Sequence, residues 1–387
     1  MRALVIAPQP FFTARGTPFS VYYRTLALAG QGVEADILTY GDGEDVDIPG
    51  VVIHRIPRFP FLGPVKIGPS FLKLFLDAVL FGKLLWMLLG RRYSFVHAHE
   101  EGVFLALLLK PVFRYKLVYD MHSSLPQQLV NFRFTGFRPL IGLFERLEKL
   151  SLRHADAVIV VCPDLVDIAR REGVEDSKLF LIENSIYDEV NLASNAGAGA
   201  GLPELPAKRP LVMYVGTFEA YQGIDLLLRS FGKVVETIPG AHLVLVGGTP
   251  DQVSGAAAMA AGLGLDGRVS VHERVPQRTA HKLLESADLL VSPRVSGTNT
   301  PLKVYEILGR GIPLVATRIL SHTQVLRDDV CVLVDPTPEA ISDGIVALLR
   351  DPERRERLSA AGRELYRARY SREAYDEKTR ALLRVIS

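Results

Sequence analysis

One stretch combines residue types able to hold an anion and a sugar. Pro293-Arg294-Val295-Ser296-Gly297-Thr298-Asn299-Thr300-Pro301 is a polar run between an apolar strand and a helix that opens near Leu302 and carries Lys303 and Glu306. Backbone N–H groups at a helix entrance receive anionic oxygens. Arg294 and Lys303 add positive charge, and the Glu306 carboxylate accepts two hydroxyl donors at once, as sugar or ribose hydroxyls require. A second strand-to-helix turn, Gly216-Thr217-Phe218-Glu219-Ala220-Tyr221-Gln222-Gly223, offers a close backbone approach at Gly216 and a helix N-terminus after Gly223. Further upstream, His97-Ala98-His99-Glu100-Glu101 and Asp120-Met121-His122-Ser123-Ser124 end two strands, where an imidazole can orient or polarise a hydroxyl. The loop Thr13-Ala14-Arg15-Gly16-Thr17-Pro18 follows the first strand, and Arg15 is either a phosphate ligand or a solvated loop residue. His97 and His99 are expected on opposite sides of their strand, which would prevent them from chelating one metal; no metal site is expected elsewhere.

The elements that must position these residues alternate. In the first half, strands are expected at Ala3–Ala7, Ala35–Thr39, Val51–Arg55, Phe95–His97, Lys116–Tyr119, Ala157–Val161 and Leu179–Ile182. Helices at Phe19–Leu28, Phe71–Leu89, Val103–Leu109, Leu140–Leu152 and Asp164–Arg171 are interleaved with them. Short apolar runs alternating with helices indicate a buried parallel sheet. Residues 191–209, rich in glycine and alanine and then proline, break the pattern and read as a linker. The alternation restarts at Leu211–Val215 and continues to helices at 338–349, 352–369 and 372–386. The expected fold is therefore α/β: two tandem doubly wound, Rossmann-like domains, residues 1–190 and 210–370, with a closing segment 371–387 and a cleft between the carboxyl edges of the sheets. A dinucleotide site is disfavoured, because neither Gly247-Gly248 nor Gly41-Asp42-Gly43 continues to the third glycine of that motif.

Composition sets limits. The 387 residues exceed what one core usually holds, and 48% hydrophobic with 23% charged residues is a globular balance. A net charge of +2 gives no reason to invoke nucleic acid. Residues 50–155, however, carry 15 Lys/Arg against 6 Asp/Glu, a basic region suited to anionic lipid or phosphorylated substrates. Two cysteines, Cys162 and Cys331, in apolar contexts fit a reducing cytoplasm. The N-terminus reads as a first strand rather than a signal peptide. Phe71–Leu89 is apolar but carries Lys73, Asp77 and Lys83, too many charges for a spanning helix. It reads either as a core helix or as one lying in a membrane interface, its flanks Arg58-Phe59-Pro60-Phe61 and Arg91-Arg92-Tyr93 favouring the second. The run Phe132-Arg133-Phe134 adds to the same basic, aromatic surface.

Gly216 to Gly223, Pro301 to Glu306 and Gly311-Ile312-Pro313-Leu314-Val315-Ala316 together resemble the retaining glycosyltransferases of family four, with the GT-B fold. The resemblance implies transfer of a sugar from a nucleotide-diphosphate sugar to an acceptor hydroxyl with retention, without a metal or other cofactor. It places Glu306 at the ribose, His122 at the transferred sugar, and His99 and Ser123 on the acceptor side. Arg15 and Gly16 match the loop between donor and acceptor. Asn299, Thr300, Pro301 and Leu302 form the donor turn. The family usually has Arg after the first glycine and Lys before the second; Thr217 and Gln222 stand there instead, and Thr298 replaces a glutamate eight residues before Glu306. Arg294 and Lys303 are the candidates to take over the diphosphate. A sugar or lipid-linked acceptor, cell-surface glycan synthesis and a peripheral place at the inner face of the plasma membrane fit this reading. The lost charges leave open a nucleotide-sugar-binding protein without transfer activity, and a GT-B epimerase is a third reading.

Overall fold

The computed structural model describes residues 1–13, 16–59, 63, 65, 70–126, 138–184, 205–206 and 210–387. Arg15, most of the segment 191–209 and residues 132–137 thus lie outside the described residues. The chain divides into two compact units, one of Met1–Ser194 with Arg372–Ser387 and one of Asn195–Ser371.

In the first unit, strands β1 (Arg2–Ala7), β2 (Glu34–Thr39), β3 (Val51–Arg55), β4 (Phe95–His99), β5 (Lys116–Met121), β6 (Ala157–Val160) and β7 (Leu179–Leu181) form one parallel sheet in the order β3-β2-β1-β4-β5-β6-β7. Ala3 to Ala7 are wholly buried, as a strand covered on both faces requires. One face of the sheet, with Leu4, Ile6, Val96, Leu117 and Tyr119, packs under α2 (Phe71–Gly90), α3 (Gly102–Phe113) and α5 (Pro163–Arg171), while α4 (Arg138–His154) packs on α3 and β5. α2 starts where Ser70 accepts a hydrogen bond from the Lys73 amide. The chain's last helix, Arg372–Ile386, packs with α1 (Gly16–Gly30), β6 and β7.

In the second unit, β8 (Leu211–Val215), β9 (His242–Gly248), β10 (Val269–Glu273), β11 (Leu289–Ser292), β12 (Leu314–Thr317) and β13 (Val332–Val334) are parallel in the order β10-β9-β8-β11-β12-β13. Helices α6 (Ile224–Thr237), α7 (Pro250–Gly262) and α11 (Pro338–Arg350) supply core residues to one face. α8 (Gln277–Glu285) and α9 (Leu302–Arg310) supply the other, and α10 is the single turn Leu320–Thr323. α12 (Pro352–Arg369) packs on α9, and the helix Arg372–Ile386 is α13. Each sheet reverses its strand order once, at β1/β4 and at β8/β11. Such a switch point opens a crevice at the carboxyl ends of the two strands, where doubly wound sheets bind ligands.

The first unit is tied by a buried ion pair. Arg24 of α1 donates through Nε to Asp120 of β5 at 2.8 Å, and its other nitrogens reach the Tyr375 hydroxyl of α13 and the Ile182 carbonyl. Burial opposes ionisation of Asp120, but the Arg24 guanidinium beside it outweighs that and holds the carboxyl well below its ordinary range. The stability this pairing contributes is present above the unfolded carboxyl value and is lost as pH falls through the depressed one. Arg24→Met, which strands the Asp120 carboxylate, should cost about 3–5 kcal/mol in urea unfolding at neutral pH. The deficit should shrink toward pH 4, where protonation relieves the stranded charge; a loss below about 1 kcal/mol at neutral pH would contradict this assignment.

Candidate active site

In the second unit the β8–α6 and β11–α9 loops close on each other at the switch point. The Val295 amide donates to the Tyr221 carbonyl at 2.9 Å. Gly223, at φ 75°, lies so near the Pro293 carbonyl that any side chain there would collide with it. α9 starts at Leu302, immediately after Pro301, so its first amides face this crevice.

Four side chains build the crevice. Lys303 projects from the first turn of α9 and sets its Nζ 3.9 Å from the centre of the Tyr214 ring. Nζ is buried and has no hydrogen-bond partner, although other atoms of the residue stay partly exposed. Burial, and then the nearby Arg294, push this ammonium down to about 7. Arg294 stacks 4.9 Å over the Tyr221 ring and donates to the Asn299 carbonyl at 2.9 Å, while its Nε is buried without a partner. Burial also lowers the Arg294 pKa. Aromatic faces attract cations but accept no ammonium hydrogen bond comparable to a carboxylate's. Gly216, at φ 152°, keeps the space beside these groups open: a methyl there would lie 2.9 Å from the Tyr214 hydroxyl and 3.3 Å from Lys303 Nζ. The Gln222 Oε1 and Thr300 Oγ1 atoms are also buried and unpartnered. Two desolvated cations without a carboxylate partner, at a helix entrance and an open glycine, are arranged to take a polyanion.

The remaining donor-side candidates fall around this pair. The Thr217 carbonyl accepts the Tyr214 hydroxyl at 2.7 Å, fixing the ring under Lys303. Thr298 is exposed, and its carbonyl accepts from the Gln324 side chain. Glu306 is mostly buried, and its Oε1 meets Arg310 Nε at 3.0 Å and His281 Nε2 at 3.1 Å. Arg310, one turn on, is thus a partner of Glu306, while Lys303 turns to Tyr214. Sequence reading missed Tyr214, Tyr221 and His322. The signal for Tyr214 was an aromatic two residues before the strand-end glycine. Buried His322 bridges Ser292 Oγ at 2.9 Å and the Thr317 carbonyl at 2.8 Å, and burial pushes it down to about 4, so it is a neutral brace for the loop base.

In the first unit, His97, His99, Asp120 and His122 form one buried cluster on the face covered by α1 and α13. His99 Nδ1 and His122 Nε2 share a proton at 3.0 Å, and His97 Nε2 meets Asp120 Oδ2 at 3.0 Å. The structure corrects the expectation about the two β4 histidines. β4 runs through His99, and residues two apart share a face of a strand; the rings stack at 4.7 Å. Ligand atoms of His97, His99 and Asp120 consequently lie within 4.8 Å of one another, a geometry able to hold a metal. Arg24 already balances the Asp120 charge, which disfavours adding a second cation. Burial pushes His122 down to about 4 and holds His99 well below the ordinary imidazole value, so both are neutral near pH 7. A neutral imidazole presents one donor and one acceptor, the complement of a hydroxyl. Ser123 is half-buried beside them, and Gly16 opens α1. Asp120, Arg24 and Tyr375 were missed as a unit; Arg24, the lone charge in Phe19–Leu28, was the legible sign.

With Lys303 near 7, an anion that binds it must bring a proton along at higher pH. Affinity for inorganic pyrophosphate should therefore fall by up to about tenfold per unit above pH 7 beyond the ligand's own titration. Calorimetry in buffers of different ionisation enthalpy should show proton uptake that disappears in Lys303→Met.

Comparison with known proteins shows the family. The model of "Glycosyl transferases group 1" matches residues 203–365 and that of "Glycosyl transferase 4-like domain" residues 21–185. A phosphatidyl-myo-inositol mannosyltransferase of Mycobacterium tuberculosis is 29% identical over 284 residues, 70% of this chain and 68% of the relative. Sucrose-phosphate synthase from Thermosynechococcus elongatus superposes with a TM-score of 0.76 at 22% identity, covering 99% of this chain and 98% of that one. The Anabaena protein HepE, solved with UDP, superposes with a TM-score of 0.72 at 15% identity, covering 99% and 100%. With the two family models spanning most of its length, the chain belongs to the group 1, family-four-like glycosyltransferases of the GT-B fold and is a glycosyltransferase.

Proposed function

We propose that the enzyme moves a sugar from a nucleotide-diphosphate sugar to an acceptor hydroxyl, with retention of configuration and without a bound metal. The observation that carries this reading is the unpaired Lys303 ammonium beside Gly216, with Arg294 next to it. As the glycosidic bond to the donor breaks, negative charge grows on the leaving diphosphate. Arg294, Lys303 and the α9 amides meet that charge where water is already displaced, replacing the Arg and Lys absent at Thr217 and Gln222. Asn299, Thr300, Pro301 and Leu302 hold the donor turn, and Glu306, steadied by Arg310 and His281, receives the ribose hydroxyls. Neutral His122, backed by His99, orients a hydroxyl of the transferred sugar, with Ser123 and His99 on the acceptor side. The acceptor hydroxyl then attacks the face the diphosphate leaves and gives up its proton to the departing phosphate oxygen.

The acceptor is proposed to be lipid-linked, in cell-surface glycan synthesis at the inner face of the plasma membrane. Support comes from the mannosyltransferase relative, whose name carries a phosphatidylinositol acceptor, and from the basic bias of residues 50–155. The chain's charge gives no role to nucleic acid.

Thermal shift against UDP, GDP and ADP should show stabilisation by one of them that Glu306→Ala removes. With the matching sugar nucleotide, NMR of the product should show the donor's anomeric configuration, and transfer should survive EDTA. An inverted product sinks the retaining assignment, and loss of activity with chelator, restored by a divalent ion, sinks metal independence and points to His97, His99 and Asp120.

A further inference from the structure

Among the described residues, Lys303 Nζ is the one lysine nitrogen that is buried without a partner. Lys73, also drawn inward, has Glu101 at 3.1 Å. The titratable and charged groups that face Lys303 come from three elements. Arg294 on the β11–α9 loop is a second cation, burial keeps the Tyr214 phenol of β8 protonated, and His322 of α10 is held neutral. No carboxylate lies close enough to hold the proton on Nζ. A lysine taken out of water beside another cation releases its proton near neutral pH, and the free amine is a nucleophile. The proposed transfer reaction leaves that reactivity unused, because there Lys303 acts only as a charge.

A seat for phosphate adjoins this amine. Arg294 is clasped by its own loop: Gly297, at φ 123°, passes so close that a methyl there would lie 2.8 Å from the guanidinium, and the Asn299 carbonyl accepts from Nη1. The Arg294 Nε keeps an unused donor, and the first amides of α9 open on the same crevice. Gly216 keeps the space beside Nζ clear, since a methyl there would sit 3.3 Å from it. A molecule bearing a phosphate next to an electrophilic carbonyl is thereby held with its carbonyl carbon at the amine. Acyl phosphates have that form. Their phosphate is also the leaving group, so the cations that seat it stabilise the charge it carries away, an advantage that an aldehyde phosphate lacks.

We infer that Lys303 is a site of acylation by small acyl phosphates, a modification that closes the crevice to diphosphates. The neutral amine attacks the carbonyl carbon, the bond from that carbon to the phosphate oxygen breaks, and phosphate leaves with the electron pair. The proton lost from nitrogen passes to the departing phosphate, giving an amide and inorganic phosphate. The amide is uncharged, so one of the crevice's two cations is removed. This inference rests on the proposed donor site, and its test separates the two. The protein is incubated with acetyl phosphate near neutral pH and mapped by peptide mass spectrometry, with exposed Lys282 of α8 as internal standard. Lys303 should be acetylated about tenfold or more faster than Lys282, and inorganic pyrophosphate should slow Lys303 alone. p-Nitrophenyl acetate, which carries no phosphate, should show a smaller preference. With that ester the Lys303 rate should level off above about pH 8, while solvated lysines climb toward about 10.4. Acetylation of Lys303 no faster than of Lys282, with pyrophosphate binding seen by calorimetry, would overturn the inference and leave the donor site standing. Equal preference for Lys303 with both reagents would overturn the assignment to acyl phosphates. Preferential acetylation that pyrophosphate does not slow would support the modification and sink the diphosphate site.

Discussion

The proposed donor site depends on an unbalanced charge. Lys303 carries an ammonium taken out of water and set over the Tyr214 ring with no carboxylate to receive it, and Arg294 is placed likewise over Tyr221. Such burial costs several kcal/mol per ion unless a partner arrives. The cost is tolerable because the crevice is held by elements that do not depend on it. Parallel strands buried on both faces fix β8 and β11, the switch point separates their following loops, and Gly223 and Gly216 let those loops meet and leave the space between them open. The crevice is thus kept in shape by apolar packing, with its two cations left without a carboxylate partner.

The first unit shows the opposite arrangement. Asp120 is as buried as any group in the chain, yet its charge is closed internally by Arg24, which Tyr375 and the Ile182 carbonyl hold in turn. Four elements far apart in sequence meet there. The result is a base for His99 and His122, whose rings are held neutral and bonded to each other. Charge is left unpaired in one unit and consumed by the fold in the other.

The sequence carried most of the fold because parallel strands announce themselves as short apolar runs, and nearly every one of them lies where its run predicts. It carried the Arg294–Lys303 pair because both flank a strand-to-helix turn, where backbone amides gather whatever the tertiary detail. It did not carry their partners. The His281 contact of Glu306 and the Arg24–Asp120–Tyr375 link join residues far apart in sequence, and local spacing marks at most one member of each, as it marks Tyr214 but not Tyr221 in the aromatic floor. The misplacement of His97 and His99 was of another kind. The strand period does record that they share a face; placing the strand end at His97, two residues short, hid it.

The central claim is that Arg294 and Lys303 stand in for the missing diphosphate clamp. Calorimetry of nucleoside diphosphates against the corresponding monophosphates, in wild type and Lys303→Met, tests it most directly. The account predicts that the wild type prefers the diphosphate by about tenfold or more, as one charge-assisted contact provides, and that Lys303→Met loses this preference while its affinity for the monophosphate stays the same. An undiminished preference in the variant would show that the diphosphate is held elsewhere and would contradict the account.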